Sequence, residues 1–226
     1  VKLIITCEHG GNLIPSKYIH LFKNAQQILA SHQGFDTGTL DLFTYLSPLA
    51  DFSKATQISR LLIEVNRSLH HPQLFSAYTK SLSTLEKNKI IDLFYQDYRR
   101  VVEEKIKDYH AAKECVFHLS LHSFTPILNK ENRTNDIGIL YDSKIEEEKS
   151  IAKLFKSALK ALQPDLIIRF NYPYLGSADG FTTYLRKKFP KNYIGIELEI
   201  NQNLVQNNSF PILLKENIKK VLEKIN

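Results

Sequence analysis

Tryptophan and methionine are absent from this 226-residue chain, and cysteine occurs only twice. Cys7 and Cys115 lie far apart, in no metal-binding or redox spacing, so neither a disulfide framework nor a cysteine zinc knuckle is expected. A reducing cytoplasm is the compartment that this cysteine usage suggests. No long hydrophobic run is present either. The stretch 61–65 carries Glu64 inside it and is far too short to span a bilayer. The first residues read as a strand with no signal-peptide pattern, and a removed leader is compatible with the missing initiator methionine. No internal repeat and no low-complexity linker interrupts the chain.

What is present is an ordinary globular composition, 43% hydrophobic and 24% charged. The length suits one domain spanning 1–226, and such a domain buries roughly three-quarters of its unfolded surface without help from a disulfide or metal. Net charge is +6. A basic balance can mark nucleic-acid binding. Here, however, the lysines alternate with glutamates along helical stretches, with no aromatic RNA-binding signature, so a solvated surface is the reading preferred. Such a field also attracts small anions.

Short apolar runs alternate with periodic charged ones. Strands are expected at 1–7, 58–65, 114–121, 137–141, 165–170 and 193–200. Helices are expected at 36–49, capped by Asp36 or Thr37, then at 83–113 (one long or two nearly continuous), 144–162, 182–188 and from about 211. The alternation predicts an α/β fold with a mostly parallel sheet and helices on both faces. Ligands collect beyond the carboxyl ends of such strands, which is where His9, Arg67 and His122 fall, with Glu199 near the end of its own strand.

Those residues suit metal-assisted hydrolysis. Catalytic zinc takes three ligands from His, Asp or Glu and leaves a position for water. His9 and His122 each follow an apolar strand, and Asp36, in GFDTG, is the best carboxylate candidate. Glu197 and Glu199 share one strand face. On the residues alone they fit either an edge strand facing water or a general base beside a metal. Arg67 offers a carboxylate a two-pronged receptor, whereas Arg60 reads equally as an ion-pair partner of Glu64. No GxSxG elbow, P-loop or GxGxxG occurs, and Cys7 inside its apolar run reads as core rather than nucleophile.

Seven motifs then follow one another along the chain: CEHGGNLIP (7–15), GFDTG (34–38), SRLLIEVNR (59–67), LHSFTP (121–126), NRTNDIGILYD (132–142), NYPYLGSADGFT (171–182) and IELEINQNL (196–204). In this order they resemble the N-formylglutamate amidohydrolase family, itself similar to zinc carboxypeptidases and aspartoacylases. The resemblance implies a phosphorylase/hydrolase-like three-layer α/β/α fold with a mixed, mostly parallel sheet. It also implies one zinc ion and cleavage of an N-acyl acidic amino acid such as N-formyl-L-glutamate to formate and glutamate. By position, His9 and His122 become zinc ligands, Asn66 and Arg67 the receptor for the substrate α-carboxylate, and Glu199 the catalytic carboxylate. Asn12 stands where the wider superfamily often has the Glu of HxxE, so Asp36 is preferred as third ligand, with Glu8 as the alternative. Arg60 is expected to assist the oxyanion, and Ser123, Tyr174 and Asp179 to contact substrate. Glu64, where the family often has Asp, is expected to orient Arg67. The implied partner is a small anionic N-acyl amino acid rather than nucleic acid or membrane. Other N-acyl amino acids, short peptides and a non-catalytic ligand-binding relative remain as alternatives.

Overall fold

A computed structural model describes residues 1–225. Six strands form the main sheet: β1 (Lys2–Cys7), β2 (Phe52–Ala55), β3 (Val116–Phe124), β6 (Ile137–Leu140), β7 (Ile168–Phe170) and β8 (Tyr193–Asn201). A two-stranded hairpin of β4 (Ile127–Leu128) and β5 (Glu131–Asn132) stands apart from it. The strand order is β2-β1-β3-β8-β6-β7, and only the β6–β8 pair is antiparallel. The helices are α1 (Gln26–Leu29), α2 (Thr39–Leu46), α3 (Thr84–Ile90), α4 (Asp97–Ala111), α5 (Glu146–Leu162), α6 (Phe181–Lys188) and α7 (Ile212–Ile225).

Strand alternation builds two cores. Leu3 and Ile5 of β1, Phe117, Leu119 and Leu121 of β3, and Ile196, Leu198 and Ile200 of β8 point to one face, packed by α2, α5 and α7. The opposite face carries Ile4, Val116 and Tyr193 against residues of α4 and α6, such as Val102, Ile106, Phe181 and Leu185. The result is the expected three-layer α/β/α arrangement. On that second face the later positions of β3 and β8 turn polar: His118, Ser120 and His122, then Glu197 and Glu199, all buried. Parallel register sets His122 beside Glu199 and Ser120 beside Glu197. Because β8 lies between β3 and β6, the two glutamates sit mid-sheet, and the edge-strand reading of this segment is excluded.

The stretch 58–65 differs from expectation. It forms turns, with a lone bridge from Ile58 to Leu13. Its backbone is paired with a following loop instead of a strand. Leu61 O accepts from the Ser76 hydroxyl, Leu62 O from Thr79, and Glu64 N donates to Leu74 O. Leu62, Ile63 and Val65 are all buried, and such a short apolar run does not by periodicity distinguish a strand from a buried irregular segment. The edge of the sheet is taken by β2, which lies next to β1 and was not expected. The helix after GFDTG begins at Thr39, with Gly38 as its cap at φ 82°, a left-handed conformation that glycine adopts without strain. Asp36 and Thr37 therefore do not cap it, and the Asp36 side chain is left for other work. The long helical stretch is continuous from Thr84 to Ala111 but contains a π segment, Ile91–Gln96. Its start is capped by Ser83, whose hydroxyl accepts from Glu86 N. Among the described residues no helix is long and apolar enough to cross a membrane.

Candidate metal centre and substrate cleft

Two loops and one strand converge near the carboxyl ends of β1 and β3. His9 follows β1, Asp36 precedes α2, and His122 closes the polar face of β3. The Nδ1 atoms of the two histidines are 3.3 Å apart, and Asp36 Oδ2 lies 3.4 Å from His9 Nδ1 and 3.1 Å from His122 Nδ1. All three residues are buried.

The outer ring nitrogens make this triangle a candidate ligand set. His9 Nε2 binds the Glu64 carboxylate. His122 Nε2 faces Ser120 Oγ at 2.9 Å and Glu8 Oε2 at 3.3 Å, while the Ser120 hydroxyl donates to Glu8 at 2.6 Å. A carboxylate only accepts, and the Ser120 proton is already committed to Glu8, so each Nε2 carries its hydrogen. In neutral rings both Nδ1 lone pairs then point at a carboxylate oxygen. Three acceptors in mutual contact repel unless a positive charge sits among them. A proton is one relief: although burial opposes it, hydrogen bonds to Asp36 and Glu8 hold the His122 imidazole well above its ordinary pKa. A metal ion is the other. Tetrahedral zinc with bonds of about 2.0–2.1 Å requires ligand atoms about 3.3–3.4 Å apart, close to the spacing here. The histidine–carboxylate pairs behind the ligands are those that orient metal-bound imidazoles.

Glu8 and Glu64 thus take places that differ from the sequence expectations. Glu8 is fully buried behind His122, where it accepts from Tyr98 Oη at 3.0 Å and from Ser120. Burial works against its charge, but the His122, His118 and Ser120 contacts keep it ionised. Glu64 supports His9 and accepts from Asn66 N at 3.1 Å rather than orienting the Arg67 side chain. Against the cost of burial, His9 and Arg60 bring its carboxyl down to about 2. Asn12 donates to Leu29 O and does not line the cleft.

The triangle forms the floor of a cleft of about 160 Å³. Every other candidate from the sequence lines it: Arg60, Asn66, Arg67, Ser123, Tyr174, Asp179 and Glu199. Glu197 lines it too. Thr182 of α6 binds Glu197 Oε1, whereas Glu199 Oε2 is buried without a partner. Burial, with Asp36 and Glu197 adding to it and His122 and Arg60 opposing, pushes the Glu199 carboxyl up to about 7. The two acids are thereby distinguished: Glu197 is engaged and Glu199 is free.

Arg60 Nη2 binds the outer oxygen of Asp36, and its Nε lies 3.8 Å from Glu64. The ion pair with Glu64 therefore exists, but the shorter contact is with Asp36. Arg67 Nη1 donates to Asp179 O at 2.5 Å, and Ser68 N donates to the Asp179 carboxylate at 3.0 Å. Asn66 Oδ1 accepts from Phe181 N, the first residue of α6. The Ser123 hydroxyl is occupied by Thr37 O and Gln202 Nε2, and its backbone N–H reaches Asp36 at 3.3 Å. Tyr174 forms part of the rim, with its hydroxyl accepting from Arg133 Nη1 at 3.0 Å. Cys7 is buried, and burial pushes its thiol up to about 12, which excludes a ready thiolate.

Five carboxylates (Asp36, Glu64, Asp179, Glu197 and Glu199) and two guanidiniums (Arg60 and Arg67) line the cleft. That excess of negative charge favours a bound cation and makes an anionic substrate hard to hold without one.

Comparison with known proteins gives the family and the fold. Residues 1–206 match the family model described as N-formylglutamate amidohydrolase. The crystal structure of a gene product of Agrobacterium tumefaciens superposes with a TM-score of 0.82 and 26% identity, covering 99% of this chain and 91% of that one. N-formylglutamate amidohydrolase from Ralstonia eutropha JMP134 has the same fold, with a TM-score of 0.75 at 16% identity, covering 100% of this chain and 92% of that one. Among curated proteins none matches the sequence.

Proposed function

The chain belongs to the N-formylglutamate amidohydrolase family, a family of hydrolases acting on amides, and from that premise we propose that it is a zinc enzyme cleaving the N-acyl amide of an acidic amino acid, with N-formyl-L-glutamate as the model substrate. The observation that carries the proposal is the convergence of His9 Nδ1, His122 Nδ1 and Asp36 Oδ2, with a carboxylate behind each ring.

Bound by those three atoms, zinc supplies a Lewis acid for the acyl oxygen and lowers the pKa of a water towards about 7. The protein does the rest. Asn66 and Arg67 hold the substrate α-carboxylate and set the amide against Glu199. Glu199, unpartnered and with its pKa near neutrality, takes the proton of the attacking water. As the C–N bond breaks, the same carboxyl returns that proton to the amide nitrogen. The products are the free amino acid and the acyl carboxylate, formate for a formyl substrate. Arg60 places positive charge beside the developing oxyanion. Tyr174 and Asp179 close the rim over a small substrate, which suits a cleft smaller than the usual range for ligand sites. Both cysteines are free, as suits a cytoplasmic enzyme.

The test joins metal analysis to turnover. Purified protein should carry about one zinc per chain, lost in His9→Ala/His122→Ala, and should release formate from N-formyl-L-glutamate faster than acetate from N-acetyl-L-glutamate. Protein that takes up no stoichiometric metal even when zinc is supplied would overturn the proposal. Preference for another acyl group would keep the chemistry and change the substrate.

A further inference from the structure

A second cleft, of about 620 Å³, meets the first at Arg60, Glu64 and Arg67, whose side chains line both. It is nearly four times the volume of the catalytic cleft, and the proposed function leaves it unused. Its floor is a built surface rather than a chance dent. The loop after Arg67 folds back on the 61–64 stretch through Ser76 to Leu61 O, Thr79 to Leu62 O and Glu64 N to Leu74 O.

The two clefts carry opposite charge. Carboxylates outnumber guanidiniums in the first. In the second, Arg60, Arg67 and Lys80 face a single acid, Glu64, with His32 adding a further nitrogen base. Glu64 is already engaged by His9 and Asn66 N, and Arg60 by Asp36, which leaves Arg67 and Lys80 as the uncompensated positive charge. Lys87 adds to the field from one side: its Nζ donates to Lys80 O at 2.5 Å and stands 5.6 Å from the centre of the Phe75 ring, which lines the groove. Phe75 and Leu128 supply apolar contact at the same place.

Arg67 lines both clefts, and under the proposed function it holds the α-carboxylate on the amine side of the scissile bond. A chain that continues past it must leave through the side-chain carboxyl of the amino acid. We infer that the second cleft is a binding subsite for a further acidic residue, joined through that side-chain carboxyl, so that the natural substrate class includes N-acylated γ-glutamyl-type acidic dipeptides. Lys80 is the specificity residue, since it lines the second cleft and is absent from the first.

This inference rests on the proposed place of Arg67, and binding of the deacylated products tests it without reliance on turnover. Calorimetry on the zinc-supplied protein at low ionic strength compares glutamate, γ-glutamyl-glutamate and γ-glutamyl-lysine, in wild type and Lys80→Glu. Wild type should bind γ-glutamyl-glutamate about tenfold more tightly than glutamate, as one added charge-assisted contact predicts. It should not favour γ-glutamyl-lysine in that way, and Lys80→Glu should reduce the tenfold ratio to about twofold or less. Lys80 is exposed, so its replacement leaves the core intact. If glutamate binds and the acidic dipeptide binds no tighter, or if the ratio survives Lys80→Glu, the subsite is overturned while the proposed function stands. If neither ligand binds, the carboxylate receptor at Asn66 and Arg67 falls, and this inference falls with it.

Discussion

Glu8 Oε2 lies 3.3 Å from His122 Nε2, on the side of the ring away from the cleft. This fully buried carboxylate cannot touch substrate, yet it decides which ring nitrogen of His122 carries the proton and therefore which is free to bind a metal. Glu8→Gln preserves the shape and removes the charge. The expected result is a zinc affinity about 10–100-fold weaker, read by competition with a chelator. Unchanged affinity would show that Ser120 alone orients the ring.

Glu199 and Glu197 stand two positions apart on β8, but Thr182 engages only Glu197. Glu199→Gln should therefore retain zinc and lose about 10²–10⁴-fold in kcat. Glu197→Gln should lose far less, because its carboxylate already has a partner. Single-turnover measurements on metal-replete protein would check both. Equal losses would mean that the two acids act as a pair.

The strands that carry the site were legible because β1, β3 and β8 are continuous apolar or alternating runs, as strands of a buried parallel sheet must be. His9 was legible because a polar residue directly after such a run marks a strand end; His122 was singled out by the same rule although β3 runs on to Phe124, and Arg67 although the run before it forms turns. The supporting shell was not. Nothing near Glu64 in the chain says that it meets His9, 55 positions away, and Glu8 reads as readily as a ligand as it does as a support. One local signal did exist: Ser120 sits two residues before His122 and so shares its face. The 58–65 segment misled because apolar residues buried in an irregular stretch leave the same trace as a short strand. The π segment left no trace at all.

That π segment runs into α4, whose Arg99 is 2% exposed and donates to the carbonyls of Val65 and Arg67, at 3.2 and 3.0 Å. Tyr95 donates to the same Arg67 carbonyl at 2.7 Å, and the Arg99 guanidinium lies over the rings of Tyr95, Phe181 and Tyr184. Arg99 is thus a positioning residue for the proposed Asn66–Arg67 receptor. Lysine keeps the charge but loses the planar fork and the stacking. Arg99→Lys should raise KM for an acidic substrate about tenfold, with a smaller change in kcat and no loss of zinc. A fall in kcat at constant KM would place its influence on the chemical step instead.

His118, on the same face of β3 but below the site, is fully buried between the hydroxyls of Thr6 and Tyr193. Burial lowers its pKa to about 4, with Arg186 and His122 adding to the effect and Glu8 opposing it. In the unfolded chain an imidazole titrates near 6.5. Between those two values the unfolded state binds the extra proton, so stability rises with pH across the window. His118 therefore costs nothing above about pH 6.5 and destabilises the fold progressively as pH falls towards 4, by roughly 3 kcal/mol at the lower end. Other groups titrate in the same range, so the contrast with His118→Gln is the informative quantity. Urea denaturation at several pH values should show wild type losing stability relative to the variant as pH falls from 6.5 to 4, and a constant difference should hold above 7. Parallel stability curves through that window would mean that water reaches His118 or that its protonated form is paired within the fold.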